Sequence, residues 1–360
     1  MRKKFLFVSH QADRTGAPTS LLNIVEELRL QDAGELIVIS MRNGENIASF
    51  ELVADKLYVV SKTIDPGILG RVYGFFKLLI LFVKIGPVDC VLVNSSANLR
   101  AMLASVILRR RVFVYVRESE NMHNSRLGFL RKRLLGFMDN AVCVSASTAV
   151  WVKKYVEESK VFVVRNGIDF RKQHCFEQKF IPVLRDKVVG IIGRIENRKG
   201  VDRLYEVACS LLASQNNVSI LVVGDILDDK YKMLFSELSE KYGVNSILIT
   251  GVVENVIPYI KCMDVNLMLS REEALPRSVM EASSLSVPTV ALDVAGTVEI
   301  LPDSYPYILR NYNVNDVCEM VVELFNSELN NSVGTECYKY VKENLNRSVN
   351  VEKLLVKMVD

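Results

Sequence analysis

The sequence predicts an α/β protein built from two Rossmann-like, doubly wound domains that face each other across a cleft. Short apolar runs rich in β-branched residues alternate with helical patterns along the whole chain, as is typical of parallel sheets covered by helices. This rhythm restarts at residue 186, after the poorly patterned stretch 171–185. The length of 360 residues also exceeds what one compact core usually holds, which favours two domains of about 150–200 residues each.

The first domain is predicted to contain a sheet of buried parallel strands. Its apolar runs are continuous and do not alternate with polar residues, as expected for strands that are covered on both faces. Helical patterns, such as residues 19–31, separate the runs and imply right-handed crossovers. The predicted strands cover residues 4–10, 36–40, 56–60, 90–95, 111–118 and 140–147, with a closing run at 160–172.

The second domain repeats the pattern, with predicted strands at residues 186–195, 218–225, 246–251, 264–270 and 287–293. We expect the two domains to span residues 1–172 and 183–345, with the linker inside 171–185. A C-terminal helix at about 346–360 is expected to cross back onto the first domain. Open α/β sheets bind ligands beyond the carboxyl ends of their strands, so the cleft is the expected ligand site.

Cysteine usage and charge narrow the class of protein. The seven cysteines are scattered without a CxxC pair, which argues against a disulfide framework and a structural zinc site and suits a reducing cytosol. Residues 1–175 carry 26 Lys and Arg against 16 Asp and Glu, a net charge of +10, whereas the remaining residues carry 19 against 26, a net charge of −7. This asymmetry predicts an anionic surface or ligand for the first domain.

Several segments of the first domain bear on membrane contact. We expect the N-terminal residues 1–11 to form a buried strand, because their apolar run is too short for a signal peptide. Residues 70–87 are the most lipid-like stretch, but two lysines interrupt them and they fall short of a spanning helix. Two interpretations stay open, a buried helix and an amphipathic helix lying on a membrane. The basic segments 108–111 and 126–137 favour a membrane face over nucleic acid, with a solvated helix face as the alternative.

The first chemical motif is "GIIGRIENRKG", residues 190–200. A predicted strand ends at Gly193, and Arg194 and Lys199 follow it on a turn that leads into a helix. A guanidinium and an ammonium group placed before a helix N-terminus form an anion site that suits a diphosphate. The alternative is a surface loop that happens to be basic. Neither a dinucleotide fingerprint nor a Walker loop is present.

The second motif, residues 270–288, follows another predicted strand and places Glu273 and Glu281 on either side of a helix start. Pro276 suits the first helical position, where its missing N–H has no partner to lose. The free N–H groups of about 274–277 favour phosphate oxygens, and the two carboxylates can accept hydrogen bonds from sugar hydroxyls. This pattern predicts a nucleotide-sugar site, and a plain capped helix is the alternative.

A third motif follows the first strand, at residues 13–28. Gly16 lets the backbone approach a ligand closely, and Thr19 or Ser20 is expected to cap the following helix. The motif is a second helix start that favours anions, but a glycine turn after a first strand is common.

Together these motifs resemble those of the retaining nucleotide-sugar glycosyltransferases of family 4, the group 1 glycosyltransferases, which have the GT-B fold. "TGAPTSLLNI" (15–24) resembles the glycine-rich N-terminal loop of that family, and "VVRNGIDF" (163–170) resembles its segment before the linker. "GRIENRKG" (193–200) is similar to a further motif. Residues 251–301 resemble the longest signature, including its two glutamates separated by seven residues.

The resemblance implies roles for individual residues. Arg194 and Lys199 would bind the donor diphosphate and stabilise the leaving nucleotide without a metal, and no DxD motif is present. Glu273 would contact the transferred sugar, and Glu281 would contact the ribose. The implied donor-binding residues are Gly16, Ala17, Gly193, Arg194, Lys199, Glu273, Ala274, Leu275, Pro276, Arg277 and Glu281. The donor would be a UDP- or GDP-linked sugar, transferred with retention by a front-face displacement.

The sequence departs from the family pattern in three places. Residues 274–276 are Ala-Leu-Pro where the family often has Gly-Phe-Gly, and Thr15 replaces the first glycine of the N-terminal loop. Arg117 and Glu118 stand where many members have a histidine followed by an acidic residue. Glu118 or His123 is a candidate group acting on the acceptor. A structural pair of Arg117 with Glu118 is the alternative.

The predicted function is transfer of a sugar from a nucleotide-diphosphate-sugar to a glycan acceptor, one that is lipid-linked, in cell-envelope polysaccharide biosynthesis such as capsule or lipopolysaccharide. The expected location is the cytoplasm, peripheral to the inner face of the cell membrane, with no nucleic-acid partner. The alternatives are a nucleotide-sugar epimerase on the same fold and a catalytically inactive partner subunit.

Overall fold

The computed structural model describes residues 2–61, 67–123, 126–174, 184–243 and 245–360. The chain divides into two compact units, an N-terminal unit of residues 1–167 with 347–360 and a C-terminal unit of residues 168–346. Most of the predicted linker 171–185 lies outside the described residues. Both units are α/β, so the predicted fold class is confirmed.

The N-terminal unit contains a seven-stranded sheet in the order β3-β2-β1-β4-β5-β6-β7, and every neighbouring pair is parallel. Nearly every residue of the central strands is buried, because helices cover both faces. The strands are β1 (Lys4–Ser9), β2 (Glu35–Arg42), β3 (Lys56–Ser61), β4 (Cys90–Asn94), β5 (Val112–Val116), β6 (Asn140–Cys143) and β7 (Val161–Val163).

Six helices follow these strands, namely α1 (Gly16–Leu30), α2 (Ile47–Val53), α3 (Gly67–Ile85), α4 (Leu99–Ile107), α5 (Arg126–Leu135) and α6 (Ala146–Val152). The last four cover the same face of the sheet, since Leu78, Met102, Leu135 and Trp151 belong to one hydrophobic core. None of the helices in the described part of the chain is both long and apolar enough to cross a membrane.

Two predicted strands of this unit extend four or more residues beyond the observed strand ends. The prediction of a strand over 140–147 is wrong beyond Cys143, because the Ser145 hydroxyl accepts a hydrogen bond from the N–H of Thr148 at 3.1 Å and caps α6. The closing run 160–172 contains only β7 and a 3₁₀ turn at Phe170–His174.

The C-terminal unit contains a six-stranded parallel sheet in the order β10-β9-β8-β11-β12-β13. Its strands are β8 (Lys187–Ile192), β9 (Val218–Val223), β10 (Ile247–Ile249), β11 (Val265–Met268), β12 (Thr289–Leu292) and β13 (Ile308–Leu309). Its helices are α7 (Val201–Ser214), α8 (Asp229–Tyr242), α9 (Ile257–Ile260), α10 (Arg277–Ser283), α11 (Val314–Glu323) and α12 (Ser327–Asn344). The direction of strand addition reverses between β8 and β11, which is the position where open α/β sheets bind ligands.

The C-terminal helix α13 (Arg347–Val359) packs on α1 of the N-terminal unit. The side chain of Arg347 is almost fully buried and pairs with Glu26 at 2.9 Å and with Glu27 at 3.1 Å. Glu27 is only 1% exposed, so the Arg347 cation helps to compensate a buried negative charge. At the other end of α13, Arg111 donates a hydrogen bond to the carbonyl of Met358 at 3.0 Å.

We expect Arg347→Ala to lower the free energy of unfolding of the N-terminal unit by about 3–5 kcal/mol, because it removes one partner of a buried ion pair with Glu27. Urea unfolding followed by circular dichroism measures the change. Arg2→Ala is the matched control, because it breaks an ion pair with the exposed Asp32 and should cost less than about 1 kcal/mol. Equal losses of unfolding free energy in the two variants would show that the buried pair of Arg347 with Glu27 does not stabilise the unit more than an exposed ion pair does.

Candidate functional site

The turn after β8 carries the first group of predicted site residues. Gly193 directly follows the strand, and its N–H donates to the carbonyl of Val223 at 2.9 Å. Arg194 is exposed, and no described residue forms a hydrogen bond or ion pair with its side chain. A 3₁₀ turn at Asn197–Lys199 then leads through Gly200 into α7.

The loop between β11 and α10 carries the second group, and it lies against this turn because β8 and β11 are neighbours in the sheet. Gly200 has a φ of 77°, and a Cβ at this position would overlap the carbonyl oxygen of Leu269. Arg203 donates to the same carbonyl at 2.9 Å. Only glycine therefore allows the turn and the loop to approach this closely.

Side chains and backbone groups bind the two segments together. The N–H of Arg271 donates to the carbonyl of Arg198 at 2.8 Å, and Arg198 Nη1 donates to the carbonyl of Glu272 at 3.2 Å. Arg271 also forms a bidentate pair with Asp202 at 2.8 and 2.6 Å. The hydrogen bond from Arg271 lowers the pKa of Asp202. These contacts fix the loop before Glu273.

Glu273 is the centre of the resulting cluster, and its side chain is 10% exposed. Its Oε1 accepts a short hydrogen bond from the Lys199 ammonium group and a second one from Ser270 Oγ at 3.0 Å. Arg198 Nη1 lies 3.6 Å from the same oxygen. No described residue donates to Oε2, so this oxygen can accept a hydrogen bond from a ligand. Lys199 and Glu273, predicted from separate motifs, are thus in direct contact.

The remaining residues of this group lie around the start of α10. The helix begins at Arg277, one residue later than predicted, and Pro276 occupies the N-cap position with extended backbone. Pro276 is not part of the helix, because its ψ of 108° is not a helical value. Leu275 is buried, and Ala274 is half-buried. Glu281 accepts a hydrogen bond from Arg277 Nη2 at 2.9 Å across one helical turn.

The predicted site residues of the N-terminal unit lie at the start of α1. The prediction that Thr19 or Ser20 caps this helix is wrong, because the helix begins at Gly16 and Ser20 Oγ donates to the carbonyl of Gly16 at 2.8 Å. Gly16 is exposed, with open space where a Cβ would lie. The carbonyl of Ala17 accepts a hydrogen bond from Asn94 Nδ2 at 2.9 Å.

Glu118 is buried and fully engaged at the carboxyl ends of β4 and β5. Its carboxylate accepts hydrogen bonds from Ser95 Oγ, from Ser96 Oγ at 2.6 Å and from the N–H groups of Ser96 and Arg117 at 3.2 and 3.1 Å. Ser95 has a φ of 114°, a strained value that these bonds hold in place. Burial lowers the pKa of the nearby His10, and Glu118 partly opposes this effect.

Arg117 contacts Glu118 through its backbone N–H. Its Nε donates to Asn94 Oδ1 at 2.7 Å, and its guanidinium lies 3.7 Å from the centre of the Tyr115 ring. The role of Glu118 towards an acceptor stays a prediction. The side chain of His123 lies outside the described residues.

Several residues that build the site were not predicted from the sequence. Arg198 and Ser270 contact Glu273, and Arg271 with Asp202 fixes the loop. Arg198 is a basic residue next to Lys199 in the same motif, so its part in the site could have been predicted from the sequence. The pairing of Arg271 with Asp202 spans 69 positions and left no local pattern.

The fold and the charged cluster at the switch point of the second sheet define a protein of the GT-B class. The structure matches that of Anabaena HepE in complex with UDP and glucose with a TM-score of 0.82 at 17% identity, covering 99% of both chains. Residues 186–327 match the family model for glycosyl transferases group 1. The predicted resemblance is confirmed.

Two curated relatives are similar over different lengths. The chain is 22% identical over 352 residues to the capsular polysaccharide biosynthesis glycosyltransferase CapM of Staphylococcus aureus, which covers 92% of this chain and 90% of CapM. It is 24% identical over 221 residues to the N,N'-diacetylbacillosaminyl-diphospho-undecaprenol alpha-1,3-N-acetylgalactosaminyltransferase of Campylobacter jejuni, which covers 60% of this chain and 51% of that protein.

We expect Gly200→Ala to destabilise the C-terminal unit by about 3 kcal/mol or more, because the new Cβ meets a backbone carbonyl at a positive φ. Gly251→Ala is the matched control. Gly251 also has a positive φ, 66°, but no atom lies within 4 Å of its Cβ position, so only the backbone cost of about 1–2 kcal/mol applies. Urea unfolding measures both, and similar losses would show that the Gly200 contact does not constrain the site.

Proposed function

We propose that this protein is a retaining, metal-independent glycosyltransferase that uses a UDP- or GDP-linked sugar in the assembly of a cell-envelope polysaccharide. Glycosyltransferase activity is supported by the family match and by the similarity to CapM. The observation that carries the proposal is the direct contact of Lys199 with Glu273 at the switch point between β8 and β11, with the exposed Arg194 on the same turn as Lys199.

The charges of this cluster suit the reaction. In the proposed step the bond between the anomeric carbon and the diphosphate oxygen breaks, and the acceptor oxygen bonds to that carbon. Negative charge then develops on the leaving diphosphate, where the exposed Arg194 guanidinium and the Lys199 ammonium group stabilise it. The acceptor proton passes to the departing phosphate oxygen, so no separate base is required.

Glu273 has two functions in this proposal. Its Oε1 holds Lys199 in place, and its Oε2 accepts a hydrogen bond from a hydroxyl of the transferred sugar. Because the Glu273 side chain is mostly buried, such a hydrogen bond forms in a region of low dielectric and is stronger than one in water. Glu281 is proposed to contact the ribose, and it would have to share its carboxylate with Arg277.

We also propose that the acceptor is a lipid-linked glycan. The support is the similarity to the Campylobacter enzyme, whose name specifies a diphospho-undecaprenol substrate, together with the net positive charge of the first half of the chain. An acceptor of this kind is held in a membrane, so the proposed place of action is the inner face of the cell membrane.

We expect one nucleoside diphosphate, UDP or GDP, to raise the melting temperature of the protein in the presence of EDTA, because a ligand that binds only the folded state stabilises it. Arg194→Ala should weaken this binding by about 10- to 150-fold, the loss of roughly 1.5–3 kcal/mol for a charge-assisted contact. Differential scanning fluorimetry over a nucleotide titration measures both.

Lys261→Ala is the control for this experiment. It removes one exposed positive charge that precedes β11, at the opposite edge of the same sheet, and it should leave nucleotide binding unchanged. A folded protein that responds to no nucleotide would contradict the proposal and favour an inactive partner subunit. A response that requires Mg²⁺ would contradict metal independence, and conversion of the nucleotide-sugar without transfer would favour an epimerase.

A further inference from the structure

One helix of the N-terminal unit exposes an unusual amount of apolar surface. Seven large apolar side chains of α3 are between 51% and 85% exposed, namely Ile68, Leu69, Val72, Tyr73, Phe76, Ile80 and Val83. At about 100° per residue, these seven positions fall within an arc of roughly 140° on one side of the helix. They form a continuous apolar stripe along about four turns, which we call the α3 stripe. Patches of this kind on a soluble unit mark interaction surfaces.

The opposite side of α3 is also apolar, and it is buried. Gly74, Leu78, Phe82 and Ile85 pack against the sheet, so the helix is anchored by one face while it presents the other. Arg100 Nη1 donates to the carbonyl of Arg71 at 3.5 Å, and Arg110 Nη2 donates to the carbonyl of Phe82 at 3.2 Å. The buried face of α3 anchors the helix to the sheet. The exposed side chains of the α3 stripe are therefore not part of the hydrophobic core.

The helices on this face of the sheet carry charge of one sign. The sequence of α3 contains Arg71, Lys77 and Lys84, that of α4 contains Arg100, and that of α5 contains Arg126, Arg131, Lys132 and Arg133. None of the three sequences contains an Asp or a Glu. Burial lowers the pKa of Arg100, and the positive charges of Arg42 and Arg71 nearby lower it further. The α5 helix adds the exposed apolar side chains of Leu127, Phe129 and Leu130.

We propose that the α3 stripe inserts into the interfacial layer of an anionic phospholipid membrane, with the exposed basic residues Arg71, Lys84 and Arg133 at the headgroups. An amphipathic helix of this kind buries its apolar face about 5–10 Å into the headgroup boundary, and anionic lipids attract the flanking cations. Charge complementarity selects this occupant over a second copy of the chain, because two such faces would bring cations against cations. The inference deepens the proposed function by naming the surface that meets the membrane of a lipid-linked acceptor.

The test is co-sedimentation of the full chain with vesicles of phosphatidylcholine containing phosphatidylglycerol, compared with vesicles of phosphatidylcholine alone. We expect binding to the anionic vesicles that weakens as salt is raised. The double variant Phe76→Ser with Ile80→Ser should bind at least about tenfold more weakly, because both side chains lose their insertion into lipid. Both positions are exposed, so the fold should be retained, as melting temperature will show.

The matched control is Met233→Ser with Val252→Ser, which removes two similarly exposed apolar side chains from the C-terminal unit and should leave vesicle binding unchanged. Equal binding by both double variants, or no binding of the wild type to anionic vesicles, would overturn the inference. A wild-type dimer that the Phe76→Ser and Ile80→Ser substitutions dissociate would assign the α3 stripe to self-association and would also overturn it.

The same proteins are titrated with UDP and GDP to separate the two proposals. Nucleotide response with no vesicle binding would leave the proposed function standing and remove the membrane surface. Vesicle binding with no nucleotide response would support the membrane surface and contradict the proposed function. The two outcomes are independent because the contact of Lys199 with Glu273 and the α3 stripe lie in different units.

Discussion

The contact between Gly200 and the carbonyl of Leu269 is the constraint on which the candidate site depends. The parallel pairing of β8 with β11 places two loops side by side, but pairing alone does not set their separation. That separation is set where the backbone of one loop meets the backbone of the other without an intervening side chain. Lys199 stands directly before this contact and Glu273 four residues after it, so the distance between their charges follows from the backbone.

The two units organise the carboxyl ends of their sheets differently. In the C-terminal unit the guanidinium of Arg194 is exposed, and no described residue donates a hydrogen bond to Oε2 of Glu273. Both groups can therefore contact a ligand. In the N-terminal unit Glu118 has all of its described oxygens occupied by hydroxyl and N–H donors, and a strained Ser95 is part of the arrangement. A carboxylate in such surroundings shapes a loop more readily than it removes a proton, since it would have to give up several donors to act as a base.

Much of this architecture was predictable because it follows from local pattern. Buried parallel strands are continuous apolar runs, and the motifs at Arg194, Lys199 and Glu273 follow such runs. The two-residue strand β13 is too short to leave a pattern in the sequence. The start of α1 at Gly16 was not predicted, because glycine is more typical of a turn than of the first residue of a helix. The direct contact of Lys199 with Glu273 depends on the left-handed conformation of Gly200, which the amino-acid type permits but does not specify. For α3, periodicity could not separate a buried helix from a surface one, because both of its faces are apolar and the structure uses each differently.

The position of α13 has a consequence for the order in which the protein can fold during synthesis. Glu27 emerges from the ribosome among the first residues, whereas its partner Arg347 is 320 positions later. The N-terminal unit therefore spends the whole translation of the second unit without the Arg347 guanidinium that pairs with Glu27 in the folded protein. Completion of the earlier unit has to wait for α13, so a nascent chain that stalls before α13 would carry a complete C-terminal unit and an incomplete N-terminal unit.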